Sequence, residues 1–303
     1  MIVAVASVFT PAAETDDAKP RIGMFRPSTG VWYRRDQSDA GGMTVMTWGY
    51  STDILTPGDY DGDGVEDNAI WRPETGMWYI HRSSDDHLMQ IHWGITTQYP
   101  TGSLPDVPVP GDYDGDNITD IAVWRPDNGM WYVLLSSHHF AYDKAEIMWW
   151  GQLGDIPVPA DYDGDGKTDA AVFRSGQNRW YIMSSKDGSL SSYLFGSAGD
   201  DILVPGDYTG DGRADAAVYR SGTWFVRDST TGEVEPFQFG KPNATPIPAD
   251  YDGDGIIDMA FYNRGIWYIN DSSDGGFRTL LFGGKEDVPL ASLKGKPSLV
   301  GVP

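Results

Sequence analysis

In the stretch Asp59-Tyr60-Asp61-Gly62-Asp63-Gly64-Val65-Glu66-Asp67, carboxylates fall at positions 1, 3, 5 and 9 of nine residues. A hard cation takes six to eight oxygens, and a loop winding around an ion turns every second residue inward. The main-chain carbonyl at position 7 is the remaining donor. The spacing recurs in Asp112/Asp114/Asp116/Asp120, Asp161/Asp163/Asp165/Asp169 and Asp250/Asp252/Asp254/Asp258. A fifth set, Asp207/Asp211/Asp215, has Thr209 in place of one carboxylate and is expected to hold an ion more weakly. Val65, Ile118, Lys167, Arg213 and Ile256 are the position-7 residues whose carbonyls would complete the shells. Position 6 needs a sharp turn; it is Gly64, Gly166, Gly212 or Gly255, and Asn117 in the one exception. A single acidic Asp-Gly turn reads equally well as a solvated hairpin. Five in register do not, because four like charges this close repel unless a cation sits among them. About five Ca²⁺ are expected. Mg²⁺ suits crowded carboxylates less well, and the missing twelfth-position Glu and the strand-like sequence that follows exclude an EF-hand.

These loops are parts of a repeat. PGDYDGDGVEDNAIWRPETGMWYI, starting at Pro57, returns with small changes from Pro110, Pro159, Pro205 and Pro248. Pro11 to Pro27 spans a further copy whose acidic positions have decayed, with Ala13, Thr15 and Arg21 where Asp59, Asp61 and Asp67 stand. DVPLASLKGKPSLVGV at the other end resembles half a unit. The units run over about 2–49, 54–94, 107–151, 156–196, 202–240 and 245–283, with a partial one at 287–302, all within a single domain. Each reads as four short strands: one before the loop, one of DAAVFR type after it, one of WYIMSS type, and one ending in an aromatic followed by Gly. Turns such as Asp127-Asn128-Gly129 separate the second from the third. Four antiparallel strands per repeat of this length predict an all-β fold, a β-propeller of six complete blades and a partial seventh sheet. Counting leaves sixfold and sevenfold rings both open. The apolar segment Ile2–Phe9 fits the first strand of blade one, sealing the ring, and fits equally a strand donated to a neighbour.

Composition narrows the partners. With 44 acidic and 22 basic side chains the formal charge is −22, which repels phosphate and argues against nucleic acid. No apolar run approaches the ~20 residues needed to span a bilayer, so membrane insertion is not expected. With no cysteine, thiolate metal sites, disulfides and cysteine nucleophiles are excluded. Ile2–Phe9 lacks a preceding Lys or Arg and makes a poor signal peptide, so no leader is visible.

DYDGDG…D followed by a short apolar strand resembles the FG-GAP/VCBS repeat, the motif of integrin α-subunit propellers and of many secreted bacterial proteins. The resemblance covers nearly the whole chain. It implies a calcium loop between the first and second strands of a blade, with no metal at the first and seventh units.

Other chemistry is sparse. His81, His87, His92, His138 and His139 stand in no HExxH pattern and beside no GxSxG turn, and the carboxylates that could act as acid and base are those of the cation loops. A non-enzyme is expected. Trp32, Trp78, Trp131, Trp180, Trp224 and Trp267 recur once per unit; packing is the first reading and a sugar-stacking platform the second. Tyr50, Tyr99, Phe140, Tyr142 and Trp149 are not demanded by the repeat and suit a binding rim. Arg26, Arg72, Arg125, Arg174 and Arg220 close the second strand, with Asn263 in the sixth unit, and are expected to pair with a blade-edge carboxylate or carbonyl. The reading is an extracellular or cell-surface calcium-binding module for a glycan or a protein. The alternatives are a structural subunit pairing with copies of itself through the exposed partial blade, and a propeller fragment of a larger secreted enzyme.

Overall fold

The computed structural model describes residues 22–35, 42–96, 104–197, 199 and 201–291. They form six four-stranded antiparallel sheets, the blades of a propeller. Blade 2 is typical: Ile54–Leu55, Asn68–Arg72, Met77–His81 and Leu88–His92, in that order from one edge to the other. Blades 3 to 6 repeat it, with Ile121–Arg125, Ala170–Arg174, Ala216–Arg220 and Met259–Asn263 as second strands. These strands are nearly continuous in apolar character because both of their faces are covered by neighbouring blades. Ala69, Ala122, Ala171, Ala217 and Ala260 are fully buried on them.

Among the described residues there is no seventh sheet. Val288–Ala291 instead pairs antiparallel with Ile22–Arg26 and supplies the first strand of blade 1, completed by Val31–Arg35 and Met43–Thr47. Leu290 is buried with Phe25, Trp32, Leu55 and Ile70, so the last repeat buries its apolar side chain in the first blade. The ring closes through its C-terminal segment. Ile2–Phe9, Arg21 and Tyr99 lie outside the described residues.

The second-strand arginines pair as expected. Arg72 donates to Asp53 at 2.8 and 2.8 Å, and Arg125–Asp106, Arg174–Asp155 and Arg220–Asp201 repeat the two-pronged contact. Each guanidinium also covers a third-strand ring, Tyr79, Tyr132, Tyr181 or Phe225. In blade 1 the partner of Arg26 is Asp287, at 2.8 and 2.9 Å, beside the closing strand. In blade 6 both members are gone together: Asn263 replaces the arginine and Ala244 stands where the aspartate would be.

Blade 1 also departs from the others on the side facing blade 2. Where blades 2 to 6 carry Ile80, Val133, Ile182, Val226 and Ile269, blade 1 carries Arg34, which is 6% exposed. Its guanidinium forms an ion pair with Glu66 and donates to Asn68 Oδ1 at 2.9 Å. Glu66 and Asn68 occupy positions that are Thr119 and Ile121 in blade 3. Gly23 replaces the buried alanine, and a Cβ there would lie 2.9 Å from Arg34 Cδ, so the glycine makes the room. A buried ion pair is costly to break from one side. Glu66→Thr alone is expected to cost about 3–5 kcal/mol, whereas Gly23→Ala/Arg34→Val/Glu66→Thr/Asn68→Ile, the residues of blade 3, should unfold near the wild-type denaturant midpoint. Equal losses for both would show that the four residues do not act as a unit.

Candidate cation-binding loops

Each loop is held by its own carboxylates before any ion is considered. The first-position Asp bridges two main-chain N–H groups: Gly62 donates to Asp59 Oδ1 at 2.7 Å and Gly64 to Oδ2 at 2.8 Å. Asp112, Asp161, Asp207 and Asp250 make the same pair of contacts. The bridge requires position 6 to turn with positive φ, which is +81° at Gly64 and 65° at Asn117. The fifth-position Asp accepts from the position-7 N–H, as in Val65 to Asp63 at 2.8 Å and Ile118 to Asp116 at 2.9 Å.

The ninth-position carboxylates, Asp67, Asp120, Asp169, Asp215 and Asp258, are 0% exposed. Each Oδ2 accepts from the N–H of the loop tyrosine, 2.9 Å from Tyr60 and 2.7 Å from Tyr113. The tyrosine hydroxyl in turn donates to a first-strand carbonyl, Thr56 O or Val109 O, at 2.7 Å. Each Oδ1 accepts from the connection between third and fourth strands: Ser83, Ser136, Ser185, Ser229 and Ser272 donate their N–H groups at 2.5–2.7 Å.

That second loop is a part of the site which sequence reasoning missed. Ser83 Oγ donates to Asp63 and Ser84 Oγ to Asp61; Ser136 and Ser137 do the same for Asp116 and Asp114, and Ser272 and Ser273 for Asp254 and Asp252. The signal was present, since a serine follows each repeated tryptophan by five positions in blades 2 to 6. Ser83 Oγ also lies 3.4 Å from Val65 O, which places that position-7 carbonyl on the same side.

Carboxylate oxygens of Asp59/Asp61/Asp67, Asp112/Asp114/Asp120, Asp161/Asp163/Asp169 and Asp250/Asp252/Asp254 come within 4.8 Å of one another, as a metal ion would need. Asp63, Asp116 and Asp165 stand outside these groups, turned to the serine hydroxyls. The fifth loop, with Thr209, brings together no such trio among the described residues. Blade 6 has a second group, Asp252/Asp258/Asp271.

The electrostatics follow from burial. Loss of water pushes Asp67 and Asp120 up to about 7, and Asp169 and Asp258 up to about 6, with neighbouring carboxylates adding to the rise and the N–H donors opposing it. Asp59, Asp112, Asp215 and Asp250 are raised for the same first reason. Together the loops offer carboxylate and carbonyl oxygens whose charge, Asp61 beside Arg82 excepted, has no ion-pair partner among the described residues, the donor set of a hard divalent cation.

These groups bind protons more tightly folded than unfolded, so without a cation their contribution to stability is present near pH 4 and is lost as pH rises to about 7. Each group contributes a slope of up to ~1.4 kcal/mol per pH unit. Urea unfolding in chelator at several pH values should therefore show falling stability across this window, and a shallower fall for Asp120→Asn. An unchanged slope in that variant would mean Asp120 is not among the groups responsible.

The repeated tryptophans are core. Trp32, Trp78, Trp131, Trp180, Trp224 and Trp267 are all buried, and each indole N–H donates to a carbonyl at the end of the fourth strand, as Trp78 does to Trp93 O at 2.9 Å. They offer no platform. Of the irregular aromatics, Phe140 packs against the blade 2 core and Tyr50 covers Arg72. Tyr142, 57% exposed, lies 5.9 Å from Trp93, and Trp149 is 74% exposed. Tyr142 belongs to a longer connection, with its two short 3-10 turns, that among the described residues only blade 3 carries. His138 and His139 lie in it too.

Residues 161–218, which hold the loops of blades 4 and 5, match the family model described as an FG-GAP-like repeat. No curated protein matches the chain. Among solved structures, the chain is similar to an Agrocybe aegerita lectin described in specific recognition of non-reducing terminal N-acetylglucosamine (13% identity, TM-score 0.57, 91% of this chain and 96% of that one). It is similar to TolB from Acinetobacter baumannii (17%, 0.59, 89% and 66%) and to a catalytically inactive virginiamycin B lyase from Staphylococcus aureus (12%, 0.51, 94% and 95%). Identities this low speak for the fold alone. The chain is a six-bladed β-propeller in which residues 161–218 match an FG-GAP-like repeat.

Proposed function

We propose that the chain is an extracellular calcium-binding propeller acting as a non-catalytic binding module for a glycan or protein. The observation that carries the reading is the repeated pairing of a buried ninth-position carboxylate with two further carboxylates inside 4.8 Å, on a loop whose shape the main chain already fixes. Ca²⁺ suits such a site because it accepts many oxygens in irregular geometry. Residues Asp59, Asp61 and Asp67 in blade 2, and their counterparts in blades 3, 4 and 6, would hold it, with Thr209 weakening blade 5. Five ions would take the formal charge from −22 to −12, five times two being ten. Acidic loops of extracellular modules commonly bind in the range ~10⁻⁴–10⁻³ M, which suits the outside of a cell.

For the ligand surface, Tyr142 and Trp149 are favoured, being exposed aromatics that the blade does not need. Aromatic faces stack on the apolar faces of sugar rings. The edge that motivated self-assembly through a partial blade is occupied, since Val288–Ala291 pairs within blade 1.

Saturating calcium at a hundred times Kd should stabilise the fold by about 2.7 kcal/mol per site, and the fall in stability between pH 4 and 7 should flatten or reverse. Asp163→Asn keeps an acceptor for the Asp165 N–H, so it should lower the melting temperature in calcium and leave it unchanged in chelator. An equal loss in both would defeat the metal assignment at that loop. On a glycan array in calcium, signals given by the wild type should disappear in Trp149→Ala/Tyr142→Ala; retention of every signal would place the ligand elsewhere.

A further inference from the structure

The five loops look alike in sequence, but the residue four positions after each repeated tryptophan differs: Arg82, Leu135, Ser184, Asp228 and Asp271. It begins the connection that docks its serines on the loop. In blade 2, Arg82 Nε lies 3.2 Å from Asp61 Oδ2, whose side chain is 4% exposed, and Nη2 lies 3.3 Å from Asp85. Among the described residues, Asp61 is the one carboxylate of the five repeated loop sets that forms an ion pair. In blade 4 the same slot offers a neutral hydroxyl, Ser184 to Asp163, and in blade 3 a buried Leu135. In blade 6 the slot adds a further carboxylate donor: Asp271 joins Asp252 and Asp258 within 4.8 Å, while Arg278 pairs with Asp271 at 3.0 Å and donates from Nη2 to the loop carbonyl of Tyr251 at 2.8 Å. Asp228 in blade 5 is occupied with the N–H groups of Thr230 and Thr231 and joins no such group.

We infer that Arg82 is a resident counter-ion that weakens calcium binding in blade 2, that Asp271 strengthens it in blade 6, and that the ring therefore fills in a set order. The inference rests on the calcium reading proposed above. A cation entering the blade 2 loop meets a guanidinium already bonded to one of its intended ligands, and must displace it or bind beside a like charge. The same contact offsets the charge of Asp61 without calcium. Blade 6 fills first, blades 3 and 4 next, and blades 2 and 5 last. Lys167 and Arg213 lie over Gly115 and Gly164, in the loops of blades 3 and 4, but form no ion pair there within 4 Å, and so rank below Arg82 in effect.

The test is calcium binding by titration calorimetry and equilibrium dialysis on the full chain. Arg82→Ser should tighten one weak site about tenfold and lower the melting temperature in chelator, with Arg82→Gln giving the same direction. In an Asp59→Asn background, where the blade 2 loop is disabled, Arg82→Ser should leave the isotherm unchanged. Asp271→Asn should loosen the tightest site several-fold, and Asp228→Asn should not. An isotherm insensitive to Arg82→Ser, or a gain that persists with Asp59→Asn, would overturn the ranking while leaving calcium binding intact. No calcium uptake by the wild-type chain would overturn the calcium reading, and the ranking with it.

Discussion

Five carboxylates entirely removed from water, Asp67, Asp120, Asp169, Asp215 and Asp258, organise one face of the propeller. Each has two oxygens and uses them in opposite directions, one toward its own loop and one toward the serine-bearing connection beside it. A buried carboxylate bonded only to neutral donors is expensive to keep charged, which is why burial drives these groups toward neutrality. The arrangement is poised between two solutions, a proton or a cation. The loop is preshaped by N–H groups, so a cation would find its oxygens in place and would have little chain to order.

The loops also join the blades. The N–H groups of Thr119, Thr168, Ala214 and Ile257 donate to the carbonyls of Asp59, Asp112, Asp161 and Asp207 in the preceding blade, at 2.6–2.8 Å. Position 1 thus serves its own loop with its carboxylate and the next blade with its carbonyl. Blade 1, whose repeat carries Ala13, Thr15 and Arg21 at three of the four acidic positions, meets blade 2 through a different device, the buried Arg34–Glu66 pair. That pair needs no metal, and it distinguishes this junction from four others built of nearly identical repeats. A polar contact of this kind costs stability when misplaced and so favours one register over its neighbours.

The arginine–aspartate pairs do similar work inside each blade, tying the start of the first strand to the end of the second. Blade 6 shows the dependence from the other side. Once Ala244 removes the carboxylate, an arginine at 263 would have no partner, and the chain carries Asn263 there. The closing strand brings its own carboxylate, Asp287, so Arg26 is satisfied by a residue 261 positions away.

Local chemistry was enough to read the nine-residue acidic pattern and the four-stranded blade, while counting left six and seven blades both open. The nine-residue acidic pattern, the turn glycines and the period are properties of short segments, and they survive wherever the segment is placed. The tryptophans, too, announced packing by recurring once per unit. What stayed hidden depends on which segments meet. In sequence Ile2–Phe9 suited the first strand of blade 1 and the 287–302 stretch a seventh unit, whereas in the structure Val288–Ala291 is that first strand, with Leu290 buried and Asp287 bonded to Arg26. Asp63, Asp116 and Asp165 looked equal to their neighbours in the pattern, yet they stand outside the close carboxylate groups of blades 2 to 4. Nothing in the repeat marks Arg34 or Arg82, yet one is buried against Glu66 and the other bonded to Asp61. Sequence alone determined the unit and its donor atoms, because those follow from residue type and spacing. Tertiary structure decided how the ring closes and how each loop is charged, because both depend on contacts between residues far apart in the chain.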